Sequence, residues 1–276
     1  MTNEYKELKP VLDTLEHAFN TLGINYYLIG AFARQIRYNQ AKIPYRATKD
    51  IDYAVLVGSS NEYQTIKDYL VTHAKYVESK NNAFVLTSAE GLQIDILPFG
   101  EIEQQGIVNI SGTGMTSIKV DGMKEVYEFG TERVELDTGN SFRVATLPGI
   151  LLLKLIAYDD RPEQRQKDAI DIGNIIMNFF LLHDTIIYDF HNDLFEQERN
   201  LENISAIVIG REMKKITGIN SSLFNRLENI LNIHISTSDD SKLVRLMVNE
   251  TRKNVTEVTS YLSDIAWGLN NPSNIQ

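Results

Sequence analysis

The amino-acid sequence predicts an α+β fold: a mixed sheet with flanking helices, followed by a mainly α-helical C-terminal domain. Three observations lead there. Up to Ala145, short runs rich in branched and aromatic residues alternate with stretches of helical spacing. Beyond Thr146 the spacing is helical almost throughout. At the junction, Thr146-Leu147-Pro148 has the form of a helix start, with Thr146 as N-cap and Pro148 in the first turn, where its missing donor does no harm. The domains are therefore placed at residues 1–145 and 146–276. A chain of 276 residues with 43% hydrophobic content can fill a core in each.

Taken in order, the first helix is expected from Glu4 to Thr21, with Leu8, Val11, Leu12, Leu15 and Phe19 on one stripe and Gly23 as its stop. Tyr26 to Ile29 follows as a short buried strand, Gly30 turns the chain, and Ala31 to Tyr38 reads as a helix. Asp50 to Val57 is a second strand, closed by Gly58-Ser59-Ser60-Asn61 and followed by a helix from Glu62 to Thr72. Phe84 to Thr87 and Leu92 to Leu97 flank Glu90-Gly91 as a hairpin, with Pro98 ending its second strand. Further strands are expected near Ile107, Ser117 to Val120, Val134 to Leu136 and Phe142 to Val144, all joining one mixed sheet. The helical part comprises Pro148 to Tyr158, Gln164 to Leu182, Leu201 to Thr217, Ser222 to Leu231 and one long final helix from Ser241 to Trp267.

Composition excludes several chemistries. There is no Cys, hence no disulfide framework, thiolate metal site or cysteine nucleophile. A net charge of -10 disfavours an extended grip on duplex DNA, which needs many cations on phosphates. The N-terminal residues lack a basic and apolar leader, and the longest nearly apolar run, Ile150 to Ala157, is too short to span a bilayer, so a cytoplasmic protein without membrane contact is expected. His17, His73, His183, His191 and His234 are scattered and form no metal pattern. No P-loop, G-x-G-x-x-G or G-x-S-x-G signature occurs.

The residues that carry chemistry lie on the second strand. Alternation puts Asp50 and Asp52 on one face and Ile51 and Tyr53 on the other, with the two aspartate Cα atoms roughly 6.5 to 7 Å apart. Two such carboxylates repel unless a cation joins them. Asp95, alone among apolar neighbours in Gln93-Ile94-Asp95-Ile96-Leu97, becomes a third oxygen ligand for Mg²⁺ or Mn²⁺ if its strand lies beside the first. Asp50 can equally cap a turn and Asp52 pair with a cation such as Arg46. Gly30 opens a helix whose N-terminal amides suit a phosphate, or is a plain tight turn. Lys154 is a lone charge in a helix that is apolar nearly all round, so it should meet a carboxylate or a phosphate. Asp168 and Asp171, one helical turn apart, are candidates either to orient it or to contact substrate. Arg211, Lys214 and Lys215 form a small basic cluster that could touch RNA, although a solvated helix face is the plainer reading.

The segments Leu28-Ile29-Gly30-Ala31-Phe32-Ala33-Arg34, Arg46-Ala47-Thr48-Lys49-Asp50-Ile51-Asp52, Gln93-Ile94-Asp95-Ile96-Leu97-Pro98-Phe99, Lys154-Leu155-Ile156-Ala157-Tyr158 and Lys167-Asp168-Ala169-Ile170-Asp171 together resemble the DNA polymerase β-like nucleotidyltransferase superfamily. The branch they look most like is the AbiEii-type group of abortive-infection and toxin–antitoxin proteins. The resemblance implies a nucleotidyltransferase-type sheet and Mg²⁺-dependent transfer of a nucleoside monophosphate from an NTP such as ATP to an acceptor hydroxyl. The acceptor it implies is an RNA end, a protein or a small molecule, and an antitoxin protein is an expected partner. Matching positions give Asp50, Asp52 and Asp95 as metal ligands, with these and Lys154 as the catalytic set. The expected nucleotide contacts are Gly30, Ala31, Arg34, Thr48, Lys154, Asp168 and Asp171. One departure stands out: Ala31 lacks the hydroxyl that a Gly-Ser turn offers to a phosphate. The rival reading is a nucleotidyltransferase fold that binds without catalysing.

Overall fold

The computed structural model describes residues 5, 7–40, 43, 50–218 and 220–273. Two compact units emerge, one of residues 1–36, 45–127 and 131–145, the other of residues 37–44, 128–130 and 146–276.

In the first unit, helix α1 (Lys9–Leu22) buries Val11, Leu12, Leu15 and Phe19, and Gly23 ends it in the left-handed conformation (φ 68°). It starts later than the apolar stripe suggests, because Pro10 is tolerated only in a first turn. Strand β1 (Asn25–Ile29) runs into helix α2 (Gly30–Gln40), and strand β2 (Ile51–Leu56) leads to helix α3 (Ser60–Ala74), capped by the Ser59 hydroxyl on the Glu62 amide. Then come the short strand β3 (Val77–Glu78), β4 (Val85–Thr87) and β5 (Gln93–Phe99). Strands β6 (Ile107–Asn109) and β7 (Ser117–Lys119) precede helix α4 (Met123–Phe129), and β8 (Thr131–Glu135) and β9 (Ser141–Ala145) close the unit.

Seven of these strands form a mixed sheet in the order β3-β4-β5-β2-β1-β9-β8, with β2–β5 and β1–β9 parallel. Strands β6 and β7 were expected in it but pair with each other, as a separate two-stranded ribbon. Pro98 does not end β5. It lies inside the strand, paired in register with Val55. Its nitrogen faces the same side as that of Ile96, which donates to Phe84 just ahead of β4, and two residues further on there is no strand left to receive a donor. Both faces of the central strands are covered. Tyr53 and Phe19 meet at 5.4 Å on one face, and on the other Tyr27 meets Phe99 at 5.7 Å.

The second unit is helical. Thr146 caps α5 (Leu147–Asp160) by accepting from the Gly149 amide, as the sequence predicts. Helix α6 (Gln166–Phe190) runs beyond the predicted Leu182 and breaks geometry at His183. A 3₁₀ turn (Asn192–Phe195), α7 (Leu201–Thr217) and α8 (Ser221–Ser236) follow. The single final helix expected from Ser241 is two, α9 (Lys242–Thr251) and α10 (Val255–Asn270). Arg252 turns left-handed (φ 57°), and Asn254 and Glu257 form a capping box that starts the second. Helices α7 and α10 cross backbone to backbone, since a Cβ at Gly210 would run into the Ile265 carbonyl and one at Gly268 into that of Ile207. Among the described residues, α6 alone is long and apolar enough by length and composition to cross a membrane, and 33% of its most apolar window is buried. Polar residues such as Asn174 and Asn178 interrupt it, which is why a search for unbroken apolar runs stops at Ile150 to Ala157.

Candidate active site

The C-terminal end of β1 and the N-terminal ends of β2 and β5 meet at one end of the sheet. Antiparallel pairing sets Ile29 opposite Asp52, and parallel pairing sets Asp52 opposite Asp95. Register partners on neighbouring strands share a face, so Asp52 and Asp95 stand side by side, on strands about 4.8 Å apart. The adjacency expected of these two strands is thus what the fold contains. Ile51 and Tyr53 are buried on the opposite face, as alternation requires. Asp50 is exposed, one residue ahead of β2.

Gly30 is part of this arrangement for a physical reason. Its φ is +69°, and a Cβ there would lie 2.8 Å from Asp52 Cγ. Glycine therefore lets the Asp52 carboxylate rest against bare backbone at the start of α2, where unpaired amides and the helix dipole favour negative charge. Gln93, on the same face of β5, donates from Nε2 to Asp95 Oδ1 at 2.9 Å. Sequence reading missed this residue, although its i, i+2 spacing from Asp95 on a strand was a visible signal.

Among the described residues, no three acidic or histidine side chains gather into a ready-made metal cage. The donors on hand still fit a hard cation. Mg²⁺ is commonly held by one or two carboxylates plus substrate phosphates and waters, and Asp52 beside Asp95 is an all-oxygen pair of that kind. Ala31 is half-buried, and Arg34 is buried at 7% exposure. Thr48 and Arg46 lie outside the described residues.

In the helical unit, Lys154 is buried, and its Nζ lies 2.7 Å from both Asp168 Oδ1 and Asp171 Oδ2. Asp168 Oδ2 makes no hydrogen bond and is 3.9 Å from Arg165. Burial by itself pulls the ammonium pKa down, but the two carboxylates outweigh it and hold Lys154 above the ordinary lysine range. The lone charge of α5 has found carboxylates on α6, in the orienting arrangement the spacing suggested. The basic cluster on α7 is occupied by protein. Arg211 is buried and forks onto Asp193 at 2.8 and 2.6 Å, Lys215 meets Glu212 at 2.6 Å, and Lys214 sits 4.0 Å over the Phe224 ring. It offers no open face of three cations to RNA.

A mixed sheet with acidic residues on adjoining strands beside a glycine turn accords with one class of protein, the nucleotidyltransferases, and the family match places the chain there. The profile of the family described as nucleotidyl transferase AbiEii toxin, type IV toxin–antitoxin system, matches residues 13–254, and the chain belongs to that family. No curated protein gives a significant match. A solved structure with some likeness is the solution structure of the antibiotic-resistance factor ANT(2'')-Ia. It is 12% identical with a TM-score of 0.40, over 83% of this chain and 99% of that one, and at that distance nothing further follows from it.

Proposed function

We propose that this nucleotidyltransferase moves a nucleoside monophosphate from an NTP to an acceptor hydroxyl on an RNA end, a protein or a small molecule, with pyrophosphate leaving, and that Asp52 and Asp95 hold the Mg²⁺ or Mn²⁺ it needs, with Asp50 joining them by motif position. The observation that carries the reading is the register pairing of Asp52 with Asp95 beside Gly30. When bound, the cation supplies charge neutralisation for the triphosphate and for the transition state. The protein's own part is positioning. The two strand-borne carboxylates are fixed by backbone pairing, and Gln93 holds one oxygen of Asp95; on this reading Asp95 also takes the acceptor proton. The opening amides of α2 receive phosphate with backbone groups alone, because Ala31 brings no hydroxyl. Lys154, Arg34 and Thr48 are added as nucleotide contacts by motif position alone. A type IV toxin–antitoxin family implies a cognate antitoxin.

The test is incubation with each of four α-³²P-labelled NTPs, Mg²⁺ and total cellular RNA, with the Asp50→Ala/Asp52→Ala variant as control. Label entering RNA with wild type alone supports the proposal. Label entering protein or a small molecule instead names that acceptor class, no label in any fraction counts against transfer, and label that persists in the double variant removes the aspartates from the reaction.

A further inference from the structure

The end of α6 and the turn after it gather apolar side chains at the surface. Of the eleven large hydrophobic residues exposed among those described, five lie in this one segment: Leu181, Ile186, Tyr188, Phe190 and Phe195. Tyr188 and Phe195 stack nearly parallel, with centroids 5.0 Å apart at 15°, and Phe180 meets them edge-on at 5.8 and 6.5 Å. The three rings form one cluster, and Tyr188 is 54% exposed.

This cluster sits on an anchored segment. The helix leaves regular geometry at His183 (φ -136°, ψ 22°), and just past the break the Asp184 carboxylate accepts from the Thr185 amide at 2.6 Å. Ile187 and Leu194 are buried and anchor the stretch, Arg211 grips Asp193, and Ser273 donates to the Phe190 carbonyl at 3.0 Å. A firmly held apolar surface of this kind marks an interaction site, because leaving it in water is unfavourable and nothing in its own backbone requires it.

Charge selects the occupant. From Leu181 to Arg199 the segment carries Asp184, Asp189, Glu196 and Glu198, besides Asp193, which Arg211 neutralises, against Arg199, which lies 5.5 Å from the Trp267 ring, while His191 is fully buried. A nucleic acid, an anionic bilayer or a second copy of this -10 chain would each bring more negative charge to that rim. We propose that this surface docks a basic amphipathic helix of a partner protein. Its apolar face lies on Phe180, Tyr188 and Phe195, and its Lys or Arg residues face Asp184, Glu196 and Glu198.

The probe is a fluorescein-labelled amphipathic helical peptide of about 18 residues with Leu on one face and Lys on the other, titrated into the full chain. A version with Glu in place of Lys and an oligolysine of equal charge serve as controls. The Leu/Lys peptide is expected to bind more tightly than either control. Tyr188→Ser/Phe195→Ser should weaken it about tenfold or more, and Asp184→Asn/Glu196→Gln/Glu198→Gln should flatten its salt dependence. Hydrogen exchange on the wild type should gain protection over residues 180–198 when the peptide is added, a readout that needs no variant. Oligolysine binding as tightly as the amphipathic peptide would overturn the proposal, as would ring variants that bind like wild type. It also fails if a dimer, or association with phosphatidylglycerol vesicles, disappears with the same ring substitutions.

Discussion

Replacing Lys154 by Met removes the cation between Asp168 and Asp171 while filling much the same volume. At 2.7 Å, each ion contact amounts to about 6 kcal/mol of Coulomb attraction at an effective dielectric of about 20, and desolvation of the buried ammonium offsets much of it. The outcome turns on what is left behind. Met leaves two carboxylates that are only 11% and 14% exposed facing each other, with Arg165 too far from Asp168 to pair closely. Removing one partner from such a buried set costs roughly 3–5 kcal/mol, which corresponds to a melting midpoint lowered by about 10 °C. The folded pKa of Lys154 is raised, so its stabilisation is fully present below the ordinary lysine value and fades only as pH rises through the higher folded one. A thermal melt at pH 8 therefore measures all of it. The triple variant Lys154→Met/Asp168→Asn/Asp171→Asn takes the charges away together and should recover more than half the loss. A single variant melting within about 2 °C of wild type, or a triple variant no better than the single, would refute the reasoning.

Gly30→Ala forces a Cβ toward the Asp52 carboxylate at a left-handed φ; a loss of about 1–3 kcal/mol in the melt and a fall of about a hundredfold in nucleotide transfer are expected. Gly268→Ala pushes α10 off the Ile207 carbonyl and should cost about 1–3 kcal/mol by chemical denaturation, with no new ligand effect. Burial lowers the pKa of His234, against a smaller upward pull from Asp159, so its contribution to stability is present above about pH 6.5 and is lost as pH falls below that value. The melting midpoint should accordingly drop between pH 7 and pH 5, and His234→Gln, which keeps a polar partner for Ser241, should flatten that drop.

What could be read in the sequence was what depends on local spacing. Helix α7 appears as predicted, from Leu201 to Thr217, because Asn200 and Gly218 bound it, and Thr146 caps α5 because a cap is chosen by its own three following residues. Lys154 was legible as a charge needing a partner, since a lone ammonium in an apolar helix has few alternatives. Pairing in three dimensions was harder. Nothing local says that β6 and β7 stand apart from the main sheet, or that Pro98 faces a side where β4 has already ended. The break between α9 and α10 did have a local mark, Asn254 followed three residues later by Glu257, but apolar spacing runs on through it. At the candidate site the residue types were visible, while the register that sets Asp52 against Asp95 and the close approach of Gly30 to Asp52 belong to the assembled sheet.

That register bears on when the protein becomes active. Strands β2 and β5 are neighbours in space but separated in the chain by α3, β3 and β4, so Asp52 and Asp95 cannot meet until that whole stretch has docked. Pairings of this kind are slow, because the loop must close before the contact stabilises anything. On the proposed assignment, a chain that has emerged from the ribosome only as far as β2 holds Asp50 and Asp52 without Asp95, and no site. Nucleotide transfer on that assignment therefore waits on closure of the central sheet, and whatever hastens or delays that step sets the onset of activity.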